Sequence, residues 1–491
     1  MKIYVDHPEL EPQLLFIKNI FNLYFEDVFV LNGKGDNQLT FNIMNDTMTH
    51  VKACLTIAGQ SYQSEAVRPE TDKKSVKQAI AKTLVNMLTE HTGITQSWGT
   101  LTGIRPTKLY HRLYRQGLSH EAICEKLAAD YLISREKLDL MRDIVRIQNE
   151  AIPDLYDLKR EVSVYIGIPF CPTKCAYCTF PAYSILVHKN DVPEFLVGLL
   201  HEIKETGEWL KKNDVKVTSI YFGGGTPTSI TPEDLKLLLD ECYRSFDMTA
   251  VREVTVEAGR PDTIDPATLD VLNDFHIDRI SINPQSFTDE TLKAIGRHHS
   301  VAETVEKFKL AREHQMNNIN MDLIIGLPNE DRTHVQHSLA EVARLRPESI
   351  TVHTLSFKRA SEMTRNKAKY PVADRDEIMT MMGLTKTYAR DHGYVPYYLY
   401  RQKNILGNLE NIGYAIDKEY SLYNILIMEE VQTILGIGCG ASSKLIHPET
   451  GKIENYLNPK DPKSYNKSYK HYTTEKIRKL ELLYNGTAVV E

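Results

Sequence analysis

Three cysteines fall within eight residues in Cys171-Pro-Thr-Lys-Cys175-Ala-Tyr-Cys178, a C-x3-C-x2-C spacing. Soft thiolates suit iron, and a cubane [4Fe–4S] cluster takes its protein ligands from cysteine. Three thiolates on one short loop leave one iron of such a cluster without a protein ligand. An open metal position marks a catalytic rather than a structural site. A structural zinc site is the competing reading, but zinc motifs pair C-x2-C with a second C-x2-C or an H-x3-H, and no such partner is visible. The remaining cysteines, Cys54, Cys124, Cys242 and Cys439, are scattered and read as small buried hydrophobes.

A second feature is the run Gly223-Gly224-Gly225-Thr226-Pro227-Thr228. Glycines let backbone approach a ligand closely and leave its polar groups free to bond. The run is no phosphate loop, because it lacks G-x4-G-K-[ST]. Polar residues then recur where apolar runs end: Glu257 after EVTV, Gln285 in RISINPQSF, Arg297 in AIGRHHS and Asp322 in INMDLIIGLP. Each alone reads as a solvated or salt-bridged side chain; their recurrence at strand ends reads as one site. His298 and His299 read as solvent-facing or packed. GIGCGA (436–441) lacks the G-x-G-x-x-G spacing of a dinucleotide loop and reads as backbone lining the same cavity.

Such residues converge only if a parallel sheet carries them. From residue 161 the chain alternates short runs rich in Val, Ile and Thr (EVSVYIGIPF, VTSIYFGGG, EVTVEAG, RISINPQSF, INMDLIIGLP, SITVHTLSF) with helical patterns such as TPEDLKLLLDECYRSF and DPATLDVLNDF. Thr231 and Asp265 stand as N-caps of those two helices. Six strand–helix units make an α/β fold, a partial (β/α)6 barrel, whose ligands bind at the C-terminal strand ends. The cysteine loop follows the first of these strands.

Around this core (156–400), residues 1–95 read as a small α+β domain and 96–155 as a helical linker region, with Ser119 and Ser134 as N-caps. Residues 401–491 read as an extension completing the core, with a last strand in TILGIGCGASS. The Lys- and Tyr-rich tail suggests nucleic acid at first. However, Ile477, Leu480, Leu483 and Tyr484 recur at helical spacing before Asn485-Gly486, which indicates a packed, capped helix.

The balance of 42% hydrophobic and 25% charged residues is that of a globular protein, and a net charge of −6 argues against a nucleic-acid or anionic-membrane surface. Seven cysteines in 491 residues make no disulfide framework. The opening MKIYVDHPELEPQ lacks an apolar signal core, and no apolar run approaches membrane-spanning length, so a soluble cytoplasmic protein is expected.

The C-x3-C-x2-C loop resembles the defining motif of the radical S-adenosylmethionine (SAM) superfamily. The set Tyr165-Ile-Gly-Ile-Pro-Phe-Cys171, GGGTPT, RISINPQSF, IGRHHS and MDLIIGLP, in that order, resembles the oxygen-independent coproporphyrinogen III oxidase (dehydrogenase) family over about residues 160–445. The N-terminal extension, PYYLYRQKN and LYNILIMEE resemble its HemZ-type branch. The resemblance implies that SAM chelates the open iron and that one-electron reduction splits it to a 5′-deoxyadenosyl radical. It implies SAM contacts for Tyr165, Tyr177, Gly224, Glu257, Gln285, Arg297 and Asp322, and contacts to a second SAM for Gly225 and Thr226. It further implies a porphyrinogen substrate, two of whose propionates become vinyl groups in haem biosynthesis, and a flavodoxin or ferredoxin as electron donor.

This sequence departs from that family at three points. Gly167 stands where the dehydrogenases have histidine, and Phe180 where they have a fourth cysteine. Only 50 residues follow GIGCGA, where the family carries a C-terminal domain. Phe at 180 is shared with haem-chaperone relatives, so a haem-binding chaperone on the same scaffold, or a radical SAM enzyme with another substrate, stands beside the dehydrogenase reading.

Overall fold

The computed structural model describes residues 1–103, 105–358, 360–402 and 405–486, which form two units, Met1–Val145 and Arg146–Glu491. In the first, strands β1 (Lys2–Val5), β2 (Phe29–Asn32), β3 (Gln38–Asn45), β4 (Thr49–Ile57) and β5 (Gln60–Arg68) form a sheet in the order β2-β1-β3-β4-β5. Thr49, Val51, Ala53, Leu55 and Ile57 of β4 are buried in strict alternation, the period-2 signature of a sheet covered on one face. Ile17, Ile20 and Phe21 of helix Leu14–Phe21, with Ile80, Leu84 and Leu88 of helix Lys73–Thr92, share that core.

Ser119 caps helix His120–Tyr131 as expected, its hydroxyl accepting from the Ala122 N–H at 3.2 Å. Ser134 does not cap with its side chain. Its carbonyl accepts from the Lys137 and Leu138 N–H groups, while its hydroxyl is buried without a partner. Spacing alone placed Ser134 at the helix start, but packing decided where its hydroxyl points.

The second unit carries β6 (Glu161–Ile168), β7 (Phe170–Cys171), β8 (Tyr183–Ser184), β9 (Lys216–Gly224), β10 (Glu253–Glu257), β11 (Arg279–Ser281), β12 (Ile319–Ile325) and β13 (Ser349–Thr354). Beyond these lie β14 (Val395–Tyr400), β15 (Asn411–Ala415), β16 (Thr433–Gly438), β17 (Ser442–Ile446) and β18 (Ile453–Leu457). Among the described residues the main sheet runs β14-β15-β13-β12-β11-β10-β9-β6-β16-β17-β18. The six strands expected from the sequence lie side by side, all parallel. Their interiors are almost wholly buried, as befits parallel strands covered on both faces. Thr231 and Asp265 cap the helices that follow β9 and β10, accepting from Asp234 and Thr268 N–H groups.

β16 adds a seventh parallel strand, paired with β6 in the register Gly436↔Tyr165 and Gly438↔Gly167. The antiparallel pairs β14–β15 and β17–β18 extend the two edges, so the sheet stays open among the described residues. The terminal helix Pro462–Asn485 packs on helix Val192–Lys212 and ends at Gly486 with φ 63°, a left-handed cap suited to glycine. It buries Tyr465 and Leu480 but also Lys476, which no amphipathic pattern marks. No helix among the described residues is long and apolar enough to cross a membrane.

Candidate functional site

The cysteine loop leaves the C-terminal end of β6 and is fastened at several points. The Cys171 carbonyl accepts from the Ile185 N–H at 2.9 Å across the short β7–β8 pair. The Ala176 N–H donates to the Ile295 carbonyl at 3.0 Å, and the Ala176 carbonyl accepts from Met363 at 3.1 Å. Arg260 donates to the Thr173 hydroxyl at 3.0 Å, which donates in turn to the Gly296 carbonyl at 3.1 Å. Ala176, between two cysteines, is buried against Leu292, Ile295, Ile324 and Leu327. The loop is therefore held rigidly before any ligand arrives.

The glycine run closes on the same loop. The Gly225 N–H donates to the Ile168 carbonyl and the Thr226 N–H to the Phe170 carbonyl, both at 2.7 Å. A Cβ on Gly225 would lie 2.4 Å from the Phe170 oxygen, so only glycine allows this approach. The sequence reading had these amides left free for a ligand. Instead the closest partner of Gly225 is the chain's own backbone, which locks the start of the cysteine loop. The Thr226 hydroxyl and the Cys171 sulfur lie 3.3 Å apart.

All twelve residues singled out in the sequence line one cavity of about 600 Å³, a size typical of small-molecule sites. Tyr165, Cys171, Cys175, Tyr177 and Cys178 come from β6 and the loop after it; Gly224, Gly225 and Thr226 follow β9; Glu257 ends β10; Gln285 and Arg297 follow β11; Asp322 lies on β12. Gln285 holds φ 66°, uncommon for a side chain larger than glycine. Its amide donates to the Asp322 carbonyl and its carbonyl accepts from Ile324, both at 2.9 Å, and these bonds hold the turn in place.

Burial sets much of the electrostatics. It pushes the Cys171 thiol up to about 11 and raises Cys178 as well. Burial also pushes the Glu257 carboxyl up to about 7; the Tyr221 hydroxyl, donating to it at 2.5 Å, pulls the other way, and Asp322 adds to the rise. At Asp322 burial would raise the carboxyl, but His353, Asn320 and Thr351 outweigh it and hold the group below its ordinary value. The buried Arg297 donates to the carbonyls of Gly259 and Asn283 at 2.8 Å and to the Tyr177 hydroxyl at 3.3 Å, leaving its Nε without a partner.

The three thiols are free, share one cavity and stand among cations, and that donor set fits an iron–sulfur cluster with three protein ligands. The polar strand ends beside it fit a small zwitterion such as SAM. His298 is exposed, whereas His299 is buried with neither ring nitrogen hydrogen-bonded, its pKa pushed down to about 3 by burial and then by Arg297 and Arg260.

Several cavity residues were missed. His353 lies 3.5 Å from Asp322 and accepts from or donates to the Tyr400 hydroxyl at 3.2 Å. Period-2 alternation could have found it, since Asp322 and Ile324 pair with Thr351 and His353 across β12–β13. Tyr423 stacks on Tyr221 with centroids 4.4 Å apart, and Tyr165 stacks 6.1 Å from both. Tyr400 and Tyr423 sit in PYYLYRQKN and LYNILIMEE, which had been legible only as marks of resemblance. From GIGCGA, Cys439 and Gly440 line the cavity. That Cys439 is buried agrees with its reading as a small hydrophobe; its place on the cavity wall had carried no signal of its own.

Gly167 has a local explanation. It pairs with Gly438, and a Cβ on it would lie 3.0 Å from the Cys439 oxygen and 3.3 Å from the Ala441 Cβ. The β16 turn fills the space into which a histidine side chain would extend. Phe180 is 59% exposed at the cavity rim, so it meets solvent where the family places a cysteine.

The chain matches the family model of the radical SAM superfamily over residues 165–342. It is 57% identical over 482 residues, 96% of each chain, to the oxygen-independent coproporphyrinogen-III oxidase-like protein HemZ of Bacillus subtilis. The haem chaperone HemW of Haemophilus influenzae is 29% identical over 65% of this chain and 79% of its own. Among solved structures, coproporphyrinogen III oxidase HemN from Escherichia coli aligns with a TM-score of 0.51 at 21% identity, covering 66% of this chain and 73% of that one. At that identity the likeness speaks for the fold.

Proposed function

Since this chain belongs to the radical SAM superfamily, in its oxygen-independent coproporphyrinogen-III oxidase-like family, we propose that it converts two propionates of a porphyrinogen to vinyl groups by oxidative decarboxylation. The observation that carries the reading is the convergence of Cys171, Cys175 and Cys178 with the polar ends of β9 to β12 on one cavity. Cys171, Cys175 and Cys178 would hold a [4Fe–4S] cluster, and Glu257, Gln285, Arg297 and Asp322, with Tyr165, Tyr177 and Gly224, would hold SAM. When bound, these two groups supply a 5′-deoxyadenosyl radical by one-electron cleavage of SAM.

The protein's own part is positioning. Arg297, already fixed by two backbone carbonyls, presents its remaining donor to an anionic group. Asp322, held ionised by His353 and Asn320, offers a fixed acceptor to hydroxyls or a cation. The tyrosine stack of Tyr165, Tyr221 and Tyr423 lines the cavity beside Glu257, to which the Tyr221 hydroxyl donates. Hydrogen abstraction followed by loss of CO2 and one electron needs no general base. A second SAM beside Gly225 and Thr226, a low-potential flavodoxin or ferredoxin donor, and a cytoplasmic setting belong to the same proposal.

Two observations favour a second reading. Relatives named as haem chaperones recur at 25–37% identity, and Phe180 replaces the fourth cysteine. The deciding experiment is an anaerobic assay of reconstituted protein with SAM, a reductant and coproporphyrinogen III, reading porphyrin fluorescence after oxidation and 5′-deoxyadenosine alongside. Protoporphyrin with stoichiometric deoxyadenosine is the expected result. Stoichiometric haem binding without such turnover would replace the dehydrogenase by the chaperone, and deoxyadenosine without protoporphyrin would point to another substrate.

A further inference from the structure

Among the described residues, the basic side chains lining the cavity are Arg260, Arg297, His353, Lys358 and Lys444. Four of them are engaged. Arg260 forms a forked pair with Asp262 at 2.9 and 2.8 Å, and Arg297 is bonded to the Gly259 and Asn283 carbonyls. His353 lies between Asp322 and Tyr400, and Lys444 meets Glu430 at 3.1 Å. The side-chain ammonium of Lys358, half-buried four residues past the end of β13, has neither a carboxylate nor a hydrogen-bond partner among the described residues. The one titratable group that bears on it is the Cys178 thiol. Apart from that thiol, an ammonium half withdrawn from water meets no counter-charge among the described residues, so it suits an anion that arrives with the ligand.

A second, independent feature lies on the same flank. Asn411 of β15 lines the cavity and is 1% exposed. Its Oδ1 accepts from the Thr354 N–H at 2.8 Å, which fixes the orientation of the amide. Its Nδ2 is then left with donors and no acceptor. The residues matched to SAM lie on β6 to β12 and the loops that follow those strands. Lys358 and Asn411 lie on the other flank, after β13 and on β15.

We propose that Lys358 and Asn411 form a carboxylate-binding wall that anchors a propionate of the substrate, a site that deepens and rests on the porphyrinogen reading above. The propionate held there is one the product keeps. Coproporphyrinogen bears four propionates and loses two, and an ion pair on a reacting carboxylate would stabilise it against leaving as CO2. The wall therefore fixes the ring while another propionate faces the cluster.

The test uses the full chain with its cluster reconstituted, and three probes: coproporphyrin III, its tetramethyl ester, and haem. Binding is followed by fluorescence quenching or, for haem, absorbance. Lys358→Met and Asn411→Asp, the latter keeping the acceptor for Thr354, are each expected to weaken coproporphyrin III about tenfold or more. Lys358→Arg should stay within about threefold of the parent, and the ester should bind all forms alike. Loss on coproporphyrin alone ties the wall to the porphyrinogen; equal loss on haem ties it to the propionates the two share. Undiminished coproporphyrin binding by Lys358→Met overturns the proposal, as does equal loss of the ester. A shifted cluster potential with unchanged porphyrin affinity would overturn it too, assigning Lys358 to the cluster. If the parent protein binds neither coproporphyrin nor haem, the porphyrin reading itself fails, a result distinct from the others.

Discussion

Lys476→Met tests how the terminal helix holds the cavity wall. Lys476 and Glu202 are both fully buried and form an ion pair, and the Lys476 ammonium also donates to the Gly436 carbonyl. Glu202 further accepts from the Gly438 N–H at 2.8 Å, the Tyr465 hydroxyl at 2.7 Å and the Asn458 amide at 2.8 Å. This carboxylate therefore fixes the end of β16, just before the cavity-lining Cys439 and Gly440. Methionine keeps the length of the side chain and removes the charge. Stranding a buried carboxylate costs about 3–5 kcal/mol. The Gly436 carbonyl still accepts from the Ser443 hydroxyl at 3.4 Å, so the cost stays at about 3–5 kcal/mol.

Hydrogen exchange of the peptide spanning residues 433–441, read by mass spectrometry, measures the opening directly. A loss of that size corresponds to exchange about a hundredfold faster or more, where opening is at equilibrium. Glu202→Gln in the same chain should recover more than half of it, since a glutamine amide can donate to Gly436 and no charge is left unpaired. Exchange within about threefold of the parent would refute the reasoning, as would a double variant no better than Lys476→Met.

Cys175→Ala should abolish the brown absorbance of the reconstituted protein and its bound iron, because two thiolates cannot hold the cluster; normal iron content would remove Cys175 from the ligand set. Glu257→Gln should weaken SAM about tenfold by equilibrium binding, with the cluster spectrum unchanged. In the parent that affinity should strengthen as pH rises through about 7, the position to which burial moves the Glu257 carboxyl, and the variant should show no such slope. For stability the sign is reversed: a raised carboxyl contributes fully below its ordinary 4.5 and loses its contribution as pH rises through about 7, so Glu257→Gln should flatten the fall in stability over that window. Gly167→His should cost about 1–3 kcal/mol by forcing the β16 turn outward, seen as a lowered melting temperature; a variant as stable as the parent would show that the turn yields freely.

Much of the site could be read before any coordinates. The cysteine loop is local in sequence, and Glu257, Gln285 and Asp322 stand at or beside the ends of apolar runs whose β-character is strong. What escaped was of two kinds. His353 lay within reach of the same strand-end rule, but the alternation along SITVHTLSF was not carried through to its face. Tyr400, Asn411 and Tyr423 offered no local sign, because their relevance comes from β14 and β15 folding back beside β13 and from a helix closing over Tyr221.

The sequence by itself determined the parallel α/β sheet, the loop that presents three thiols and the strand ends that face them. These follow from period, capping and spacing, which act between residues near in the chain. Only the tertiary structure decided that β16 returns to pair with β6, that this return crowds the side-chain position of Gly167, and that a buried Lys476–Glu202 pair holds the returning strand. It also decided which cavity ammonium meets no carboxylate among the described residues. Those outcomes depend on contacts between residues hundreds of positions apart, where burial and the pairing of charge, not local preference, set the free energy.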